Sequence, residues 1–113
     1  MEISVGHTPD SDDAFMFYGM FTDKVPSPDF TVNHVIEDIE KLNRKATNPE
    51  LDVTAVSVHA CAYIPGYTIL RSGGSFGINY GPIVTAKKQM TIDEIKKCKI
   101  AIPGKMTSAF LLL

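Results

Sequence analysis

Apolar and polar positions alternate along this chain with two different periods, which predict strands and helices in turn. Three short segments have the apolar, β-branched character of strands, and three others place apolar residues at helical spacing. The predicted strands are residues 2–6, 30–36 and 51–56, and the predicted helices are residues 10–18, 37–46 and 58–63. A chain in which strands alternate with helices favours an α/β fold built on a largely parallel sheet.

The pattern weakens in the second half, where polar and glycine-rich stretches separate shorter apolar segments. The further predicted strands are residues 67–70, 81–86 and 100–102, and the predicted flexible loop is residues 72–77. Thr91 and Glu94 have the spacing of a capping box, which predicts the start of a helix. Thr107 predicts another helix start, and the apolar residues 110–113 follow it without any residue that ends a helix. We therefore expect the chain to stop within a helix.

The charge and the cysteines of the chain exclude several classes of protein. The formal net charge is −2 and the basic residues are scattered, so nothing indicates a nucleic-acid partner. No apolar stretch reaches the length of a membrane span and the N-terminus lacks the features of a signal peptide, which predicts a cytoplasmic protein with no membrane partner. Cys61 and Cys98 lack the spacing of a zinc site or a disulfide framework, so we expect free thiols and no metal.

Polar segments fall at three places where ligands bind in open α/β sheets, beyond the carboxyl ends of predicted strands. They are residues 7–13, 57–59 and 104–108. The aspartates of the first segment do not form a calcium loop, because Phe15 and Phe21 stand where that loop needs Gly and Glu. Gly104-Lys105 is not a nucleotide-binding loop, because Met106 stands where the motif needs Ser or Thr. The convergence of the segments predicts a small-molecule site that uses neither motif.

The candidate binding groups in these segments are hydroxyls and imidazoles. Ser57 and Thr107 each open a predicted helix, so each is either an ordinary N-cap or a ligand for an anion such as a carboxylate. His7 and His59 are each either structural histidines or acid–base groups, and His7 is the better candidate because it ends a predicted strand. The residues alone leave these alternatives open.

Three motifs follow one another along almost the whole chain. They are GHTPDSDDAFMFY at residues 6–18, DVTAVS with the following His59-Ala60 at residues 52–60, and IPGKMTSAFLL at residues 102–112. In this order the motifs resemble those of a family of menaquinone-biosynthesis enzymes, the 1,4-dihydroxy-6-naphthoate synthases of the futalosine route.

The resemblance implies a fold and a division of the chain. Family members have the type 2 periplasmic-binding-protein-like fold, in which two α/β lobes enclose the substrate. Residues 1–86 would then form the first lobe, and residues 87–113 the incomplete beginning of the second. Members of the family are longer than this chain, and their catalytic histidine lies beyond Leu113.

The resemblance also implies an activity and a set of contacts. The family converts cyclic dehypoxanthinyl futalosine to 1,4-dihydroxy-6-naphthoate by proton abstraction and C–C cleavage, a lyase-type reaction for which we expect no cofactor or metal. Its motifs place four substrate-binding residues on this chain, namely Asp13, Ser57, Thr107 and Ser108. His7 is a further candidate because it ends a predicted strand, and it departs from the family's first motif. The expected partner is a small molecule that carries a carboxylate.

Two other functions fit the same pattern. One is the chorismate dehydratase of the same pathway and fold, and the other is a non-catalytic protein that binds small carboxylates in the same clamshell. The missing signal peptide argues against an extracellular binding protein. The apolar residues 110–113 also favour self-association of the chain.

Overall fold

A computed structural model describes residues 1–26 and 28–113 of the chain. The elements are β1 (Glu2–His7), α1 (Ser11–Phe21), β2 (Thr31–Ile36), α2 (Ile39–Thr47), β3 (Val53–Thr54), α3 (Val58–Cys61), α4 (Ile92–Ile95) and α5 (Ser108–Leu112). The sequence also predicts a loop at residues 26–28, of which Ser27 lies outside the described residues.

The three strands form one parallel sheet in the order β2-β1-β3, so the prediction of a parallel α/β arrangement is confirmed. Val5, in the central strand, pairs with His34 on one side and with Val53 on the other. Gly6 lets helix α2 approach this strand, because a Cβ there would come within 3.0 Å of side-chain atoms of Leu42. The first motif thus begins in the centre of the sheet.

Local signals account for the starts of the two helices that were predicted most clearly. Asp38 caps α2 by accepting a hydrogen bond from the backbone N–H of Lys41 at 3.0 Å. Thr91 and Glu94 form the predicted capping box at α4, in which the side chain of each bonds the backbone of the other. Both helices begin within about two residues of the predicted positions.

The predicted strands of the second half are wrong. Residues 67–70, 81–86 and 100–102 form no strand in the described structure, and β3 contains only two of the six residues predicted for it. A strand is stabilised by backbone hydrogen bonds to a neighbouring strand, and these segments have no such partner within the described residues. Their apolar side chains, such as those of Ile69 and Ile83, are therefore exposed.

The buried apolar core of the described residues lies within the first 60 residues of the chain. Its apolar members are Val5, Leu42, Ala46 and Ala60. The accessible surface is 8885 Å², whereas a compact monomer of this mass exposes about 6,100 Å². The radius of gyration is 16.8 Å, against about 13 Å for a compact chain of this length. The sheet and its helices are thus packed, and much of the second half is extended.

Candidate functional site

The carboxyl ends of the three strands lie along one edge of the sheet, because the strands are parallel. Two of the three predicted polar segments, residues 7–13 and 57–59, follow strands at this edge. The third, residues 104–108, follows no strand but leads into α5, which packs against α3. The structure therefore brings all three segments towards the same end of the molecule.

Asp13 holds the loop between β1 and α1. Its Oδ2 accepts hydrogen bonds from the backbone N–H of Thr8 at 2.6 Å and from the Thr8 hydroxyl at 2.9 Å. Asp13 is only 7% exposed, and within the described residues its other oxygen, Oδ1, accepts no hydrogen bond. Closing the loop is thus the role that the geometry shows, and Oδ1 takes no part in it.

Ser57 stands at the N-cap position of α3, but its side chain does not cap the helix. Asn43 of α2 engages it instead, through both ends of its amide group. The Ser57 backbone N–H donates to Oδ1 of Asn43 at 2.8 Å, and Nδ2 of Asn43 donates to the Ser57 hydroxyl oxygen at 3.0 Å. The hydroxyl oxygen is therefore an acceptor in this contact, and its own proton is left for another partner.

Thr107 uses its hydroxyl within its own helix start. The oxygen accepts from the backbone N–H of Phe110 at 3.2 Å, and the hydroxyl proton is donated to the carbonyl of Gly104 at 2.7 Å. Thr107 is 3% exposed. Of the two alternatives for this residue, the geometry favours the N-cap, because the one proton of the hydroxyl is already used.

Ser108 and His59 join the starts of α5 and α3. The backbone N–H of His59 donates to the Ser108 hydroxyl at 3.3 Å, and Nδ1 of His59 donates to the Thr107 carbonyl at 3.1 Å. Because a carbonyl only accepts, Nδ1 carries the proton and Nε2 of the neutral ring is an acceptor. The two helix starts are thus held together by two direct hydrogen bonds.

Glu40 ties the segment before α5 to α2. One carboxylate oxygen accepts from the backbone N–H of Met106 at 3.0 Å, and the other accepts from Arg44 at 3.2 Å. Gly104 passes directly beneath this carboxylate with a φ of 154°, and a Cβ there would overlap the Glu40 side chain. A glycine is required at this position for both reasons.

His7 is packed inside the molecule and does not open onto the sheet edge. It is 2% exposed, stacks on Phe17 with ring centroids 4.7 Å apart, and meets the edge of Phe21 at 4.9 Å. Nδ1 donates to the Thr8 carbonyl at 3.1 Å, so Nε2 accepts from Nδ1 of His34 at 3.3 Å. Both ring nitrogens are engaged, which favours the structural alternative for this histidine.

The electrostatics near the first motif follow from burial and hydrogen bonding. Burial lowers the pKa of His34, and the neighbouring His7 lowers it further. Hydrogen bonding with Ser75 lowers the pKa of Asp12. A Cβ on Gly73 would lie 3.9 Å from the sulfur of Met16, so the glycine-rich segment 72–77 runs beside α1.

Asn43 and Glu40 are the site residues that the sequence did not indicate. Both belong to a helix whose amphipathic pattern was assigned through its apolar and basic residues. Asn43 nevertheless carries a signal, because it is a poor helix former placed between the buried residues Leu42 and Ala46. A polar residue on the inward face of a helix indicates a buried hydrogen-bond partner.

Neither a metal centre nor a membrane segment is found in the part of the chain that the structure describes. Residues 1–26 and 28–113 contain no group of three or more His, Cys, Asp or Glu side chains placed to hold a metal ion. Among the same residues, every helix is too short or too polar to cross a bilayer.

The comparison with known proteins covers almost the whole chain. Residues 3–113 match the model of a family described as menaquinone biosynthesis. The chain is 36% identical over 112 residues to the 1,4-dihydroxy-6-naphthoate synthase of Thermus thermophilus, which is 98% of this chain and 40% of that relative. It is also similar to the crystal structure of an Archaeoglobus fulgidus protein, with 54% identity and a TM-score of 0.73 over 79% of this chain and 34% of that one. The chain thus spans less than half the length of either relative, and it belongs to the menaquinone biosynthesis family.

Proposed function

We propose that this chain forms part of the substrate site of a 1,4-dihydroxy-6-naphthoate synthase. The reaction is the lyase-type conversion of cyclic dehypoxanthinyl futalosine to 1,4-dihydroxy-6-naphthoate in menaquinone biosynthesis. Membership of the family and the name of the Thermus thermophilus relative support this assignment. The alignment with that relative covers all three motifs.

The proposed architecture is a two-lobed, type 2 periplasmic-binding-protein-like fold. Residues 1–86 belong to the first lobe, which the parallel sheet supports, and residues 87–113 begin the second. The substrate lies at the carboxyl edge of the sheet, near the place where α3 and α5 meet. The hydrogen bonds of His59 to Thr107 and Ser108 make this the point of contact between the two parts.

The observation that carries the proposal is the unused proton of the Ser57 hydroxyl at this edge. The substrate bears an aromatic carboxylate, and a hydroxyl that donates to a charged oxygen contributes roughly 1.5–3 kcal/mol. Within the described residues, the hydrogen bonds of Ser57 leave its hydroxyl proton without an acceptor. A carboxylate oxygen of the substrate accepts this proton.

The other three residues of the proposed site have supporting roles. Asp13 shapes the neighbouring loop and presents Oδ1 to a polar group of the substrate. Ser108 lies in the first turn of α5, where backbone N–H groups lack partners within the helix and can donate to an anion. Thr107 holds that turn in place through its two hydrogen bonds.

The chemistry requires removal of a proton next to a carbonyl and then cleavage of a C–C bond of retro-aldol type. A general base performs the first step, and oriented donors stabilise the oxyanion that develops. The described residues supply the anchoring part of this site. We do not assign the role of general base to any of the four proposed site residues, Asp13, Ser57, Thr107 and Ser108.

Product analysis with the intact protein tests the assignment. Incubation with cyclic dehypoxanthinyl futalosine should yield 1,4-dihydroxy-6-naphthoate, and the Ser57→Ala variant should do so with a KM raised about tenfold. Chorismate is offered in parallel, because its dehydration would instead assign the other enzyme of the pathway. Tight binding of the substrate without turnover would favour the non-catalytic carboxylate-binding protein.

A further inference from the structure

The amide of Asn43 restricts the directions in which the Ser57 hydroxyl can donate. Asn43 lies on the inward face of α2 and is fully buried, with 0% of its surface exposed. Its two polar atoms both contact Ser57, Oδ1 at 2.8 Å from the backbone nitrogen and Nδ2 at 3.0 Å from the hydroxyl oxygen. One buried side chain thus makes two hydrogen bonds to a single residue of the proposed site.

The orientation of this amide follows from the groups it faces. The backbone N–H of Ser57 can only donate, so the atom opposite it must be the carbonyl oxygen Oδ1. The NH₂ group then faces the hydroxyl, and since NH₂ can only donate, the hydroxyl oxygen has to accept. The Ser57 proton is therefore turned away from Asn43.

A free serine hydroxyl rotates and points wherever its partners allow. Here the contact with Asn43 removes the orientations in which the proton points at the amide, so an arriving carboxylate meets a restricted donor and the site loses less rotational freedom on binding. We infer that Asn43 is a positioning residue, which acts through Ser57 and makes that hydroxyl an obligatory donor towards a substrate carboxylate. This inference rests on the proposed function, because it assigns the donor within that same site.

The substitution Asn43→Asp tests the inference, because it keeps the shape of the side chain and reverses one hydrogen bond. A carboxylate accepts from both the N–H and the O–H of Ser57, so the hydroxyl proton is captured and cannot reach a ligand. We expect this variant to bind 1,4-dihydroxy-6-naphthoate at least tenfold more weakly than the wild type, as Ser57→Ala does. Thermal melting of each variant establishes that binding is measured on folded protein.

The double variant Asn43→Asp/Ser57→Ala separates the hydroxyl from the added charge. Without the hydroxyl, Asn43→Asp should weaken naphthoate binding by no more than about threefold beyond Ser57→Ala alone. An equal loss in both backgrounds means that charge or misfolding is the cause, and it overturns the inference. Asn48→Asp is the matched control, because it adds the same charge at an exposed position at the end of the same helix.

Hydrogen exchange at the Ser57 amide gives a second, ligand-free test. The bond to Oδ1 should protect this amide in the wild type, and Asn43→Leu should raise its exchange rate at least tenfold while the amides of β1 stay protected. Unchanged exchange at Ser57 in a folded Asn43→Leu protein shows that the contact does not exist and overturns the inference. Failure of the proposed function looks different, because Ser57 is then protected by Asn43 although the wild type neither binds the naphthoate nor turns over substrate.

Discussion

Helices α3 and α5 both begin at a hydroxyl residue in extended backbone, with φ and ψ of −69° and 143° at Ser57 and of −80° and 149° at Thr107. The two hydroxyls are used differently. Thr107 caps its own helix and donates to Gly104, whereas the Ser57 side chain makes no capping bond and accepts from a residue of another helix. The Thr107 hydroxyl is therefore fully used within the protein, whereas the hydroxyl proton of Ser57 has no acceptor among the described residues.

The difference shows what decides whether such a hydroxyl caps its own helix. Both residues have the preferred chemistry and backbone conformation of an N-cap. They differ because Asn43 of α2 donates a hydrogen bond to the hydroxyl oxygen of Ser57 and leaves the hydroxyl proton unused. The use of the Ser57 hydroxyl is thus set by its tertiary neighbour and not by its residue type.

The largest expected effect on stability is at Gly104, which precedes α5 and packs against Glu40. In Gly104→Ala a Cβ would overlap the Glu40 carboxylate, and a side chain would be forced to a φ of 154°. We expect the free energy of unfolding to fall by about 2 kcal/mol or more. Chemical denaturation measures this loss.

Gly81→Ala is the matched control for that substitution. A Cβ at Gly81 meets nothing within 4 Å, and the residue is exposed. Its stability should stay within about 0.5 kcal/mol of the wild type. If Gly81→Ala destabilises the protein as much as Gly104→Ala, the packing of Gly104 against Glu40 is not what holds the start of α5.

The next effect is on ligand affinity at Ser57. Ser57→Ala removes the available proton, so 1,4-dihydroxy-6-naphthoate should bind about tenfold more weakly, which corresponds to about 1.4 kcal/mol. The same change leaves Nδ2 of the buried Asn43 without its acceptor, so stability should also fall by roughly 1–2 kcal/mol. Titration calorimetry and denaturation of one preparation give both values. Unchanged affinity together with lower stability would make Ser57 a purely structural residue.

Thr107→Val should show the reverse pattern. It removes the cap on the Phe110 N–H and the donor to Gly104, so we expect a loss of about 1–2 kcal/mol in stability. Naphthoate affinity should fall less than in Ser57→Ala, because the lost proton was already used inside the protein and only the turn that presents Ser108 is loosened. Thr107→Ser keeps the hydroxyl and should restore most of the stability. A tenfold loss of affinity in a stable Thr107→Val protein would remove the distinction between the two helix starts.

The parts of the fold that the sequence predicted well are those with local causes. Strand β2 and helix α2 were predicted to within about two residues, because alternation, Asp38 and the capping preferences act over a few residues. The strands predicted at residues 67–70 and 81–86 do not form, since a strand needs a partner that its own pattern cannot supply.

The same limit applies to the candidate site. The polar segments at the strand ends were predicted from the order of elements, and two of them lie where expected. The Thr107 hydroxyl bonds Gly104 and Phe110, each three residues away, whereas the use of Ser57 depends on Asn43 of α2, 14 residues away in sequence. The pattern of α2 indicates that Asn43 has a buried partner, but it does not indicate which residue that partner is.

The smallest expected effect on the free energy of unfolding comes from lowering the pH. Burial and the neighbouring His7 lower the pKa of His34 in the folded protein, whereas an unfolded histidine titrates near pH 6.5, about its ordinary value. Below that pH the unfolded chain binds more protons at this residue, so the free energy of unfolding should fall as the pH drops through about 6.5. The loss at this residue is complete once the pH lies below the lowered pKa. Carboxylates such as Asp52, whose pKa is lowered by hydrogen bonds from Ser4, act in a separate and more acidic range, below about pH 4.

His34→Asn should flatten the part of this dependence near pH 6, because an amide can donate to Nε2 of His7 but does not titrate in this range. Ser57→Ala and Thr107→Val should keep the wild-type slope, since neither hydroxyl contacts the His7–His34 pair in the described structure. Denaturation at a series of pH values between 5 and 8 (roughly the range in which histidine changes charge) measures all four proteins. A wild-type slope in His34→Asn would assign the acid sensitivity to another group.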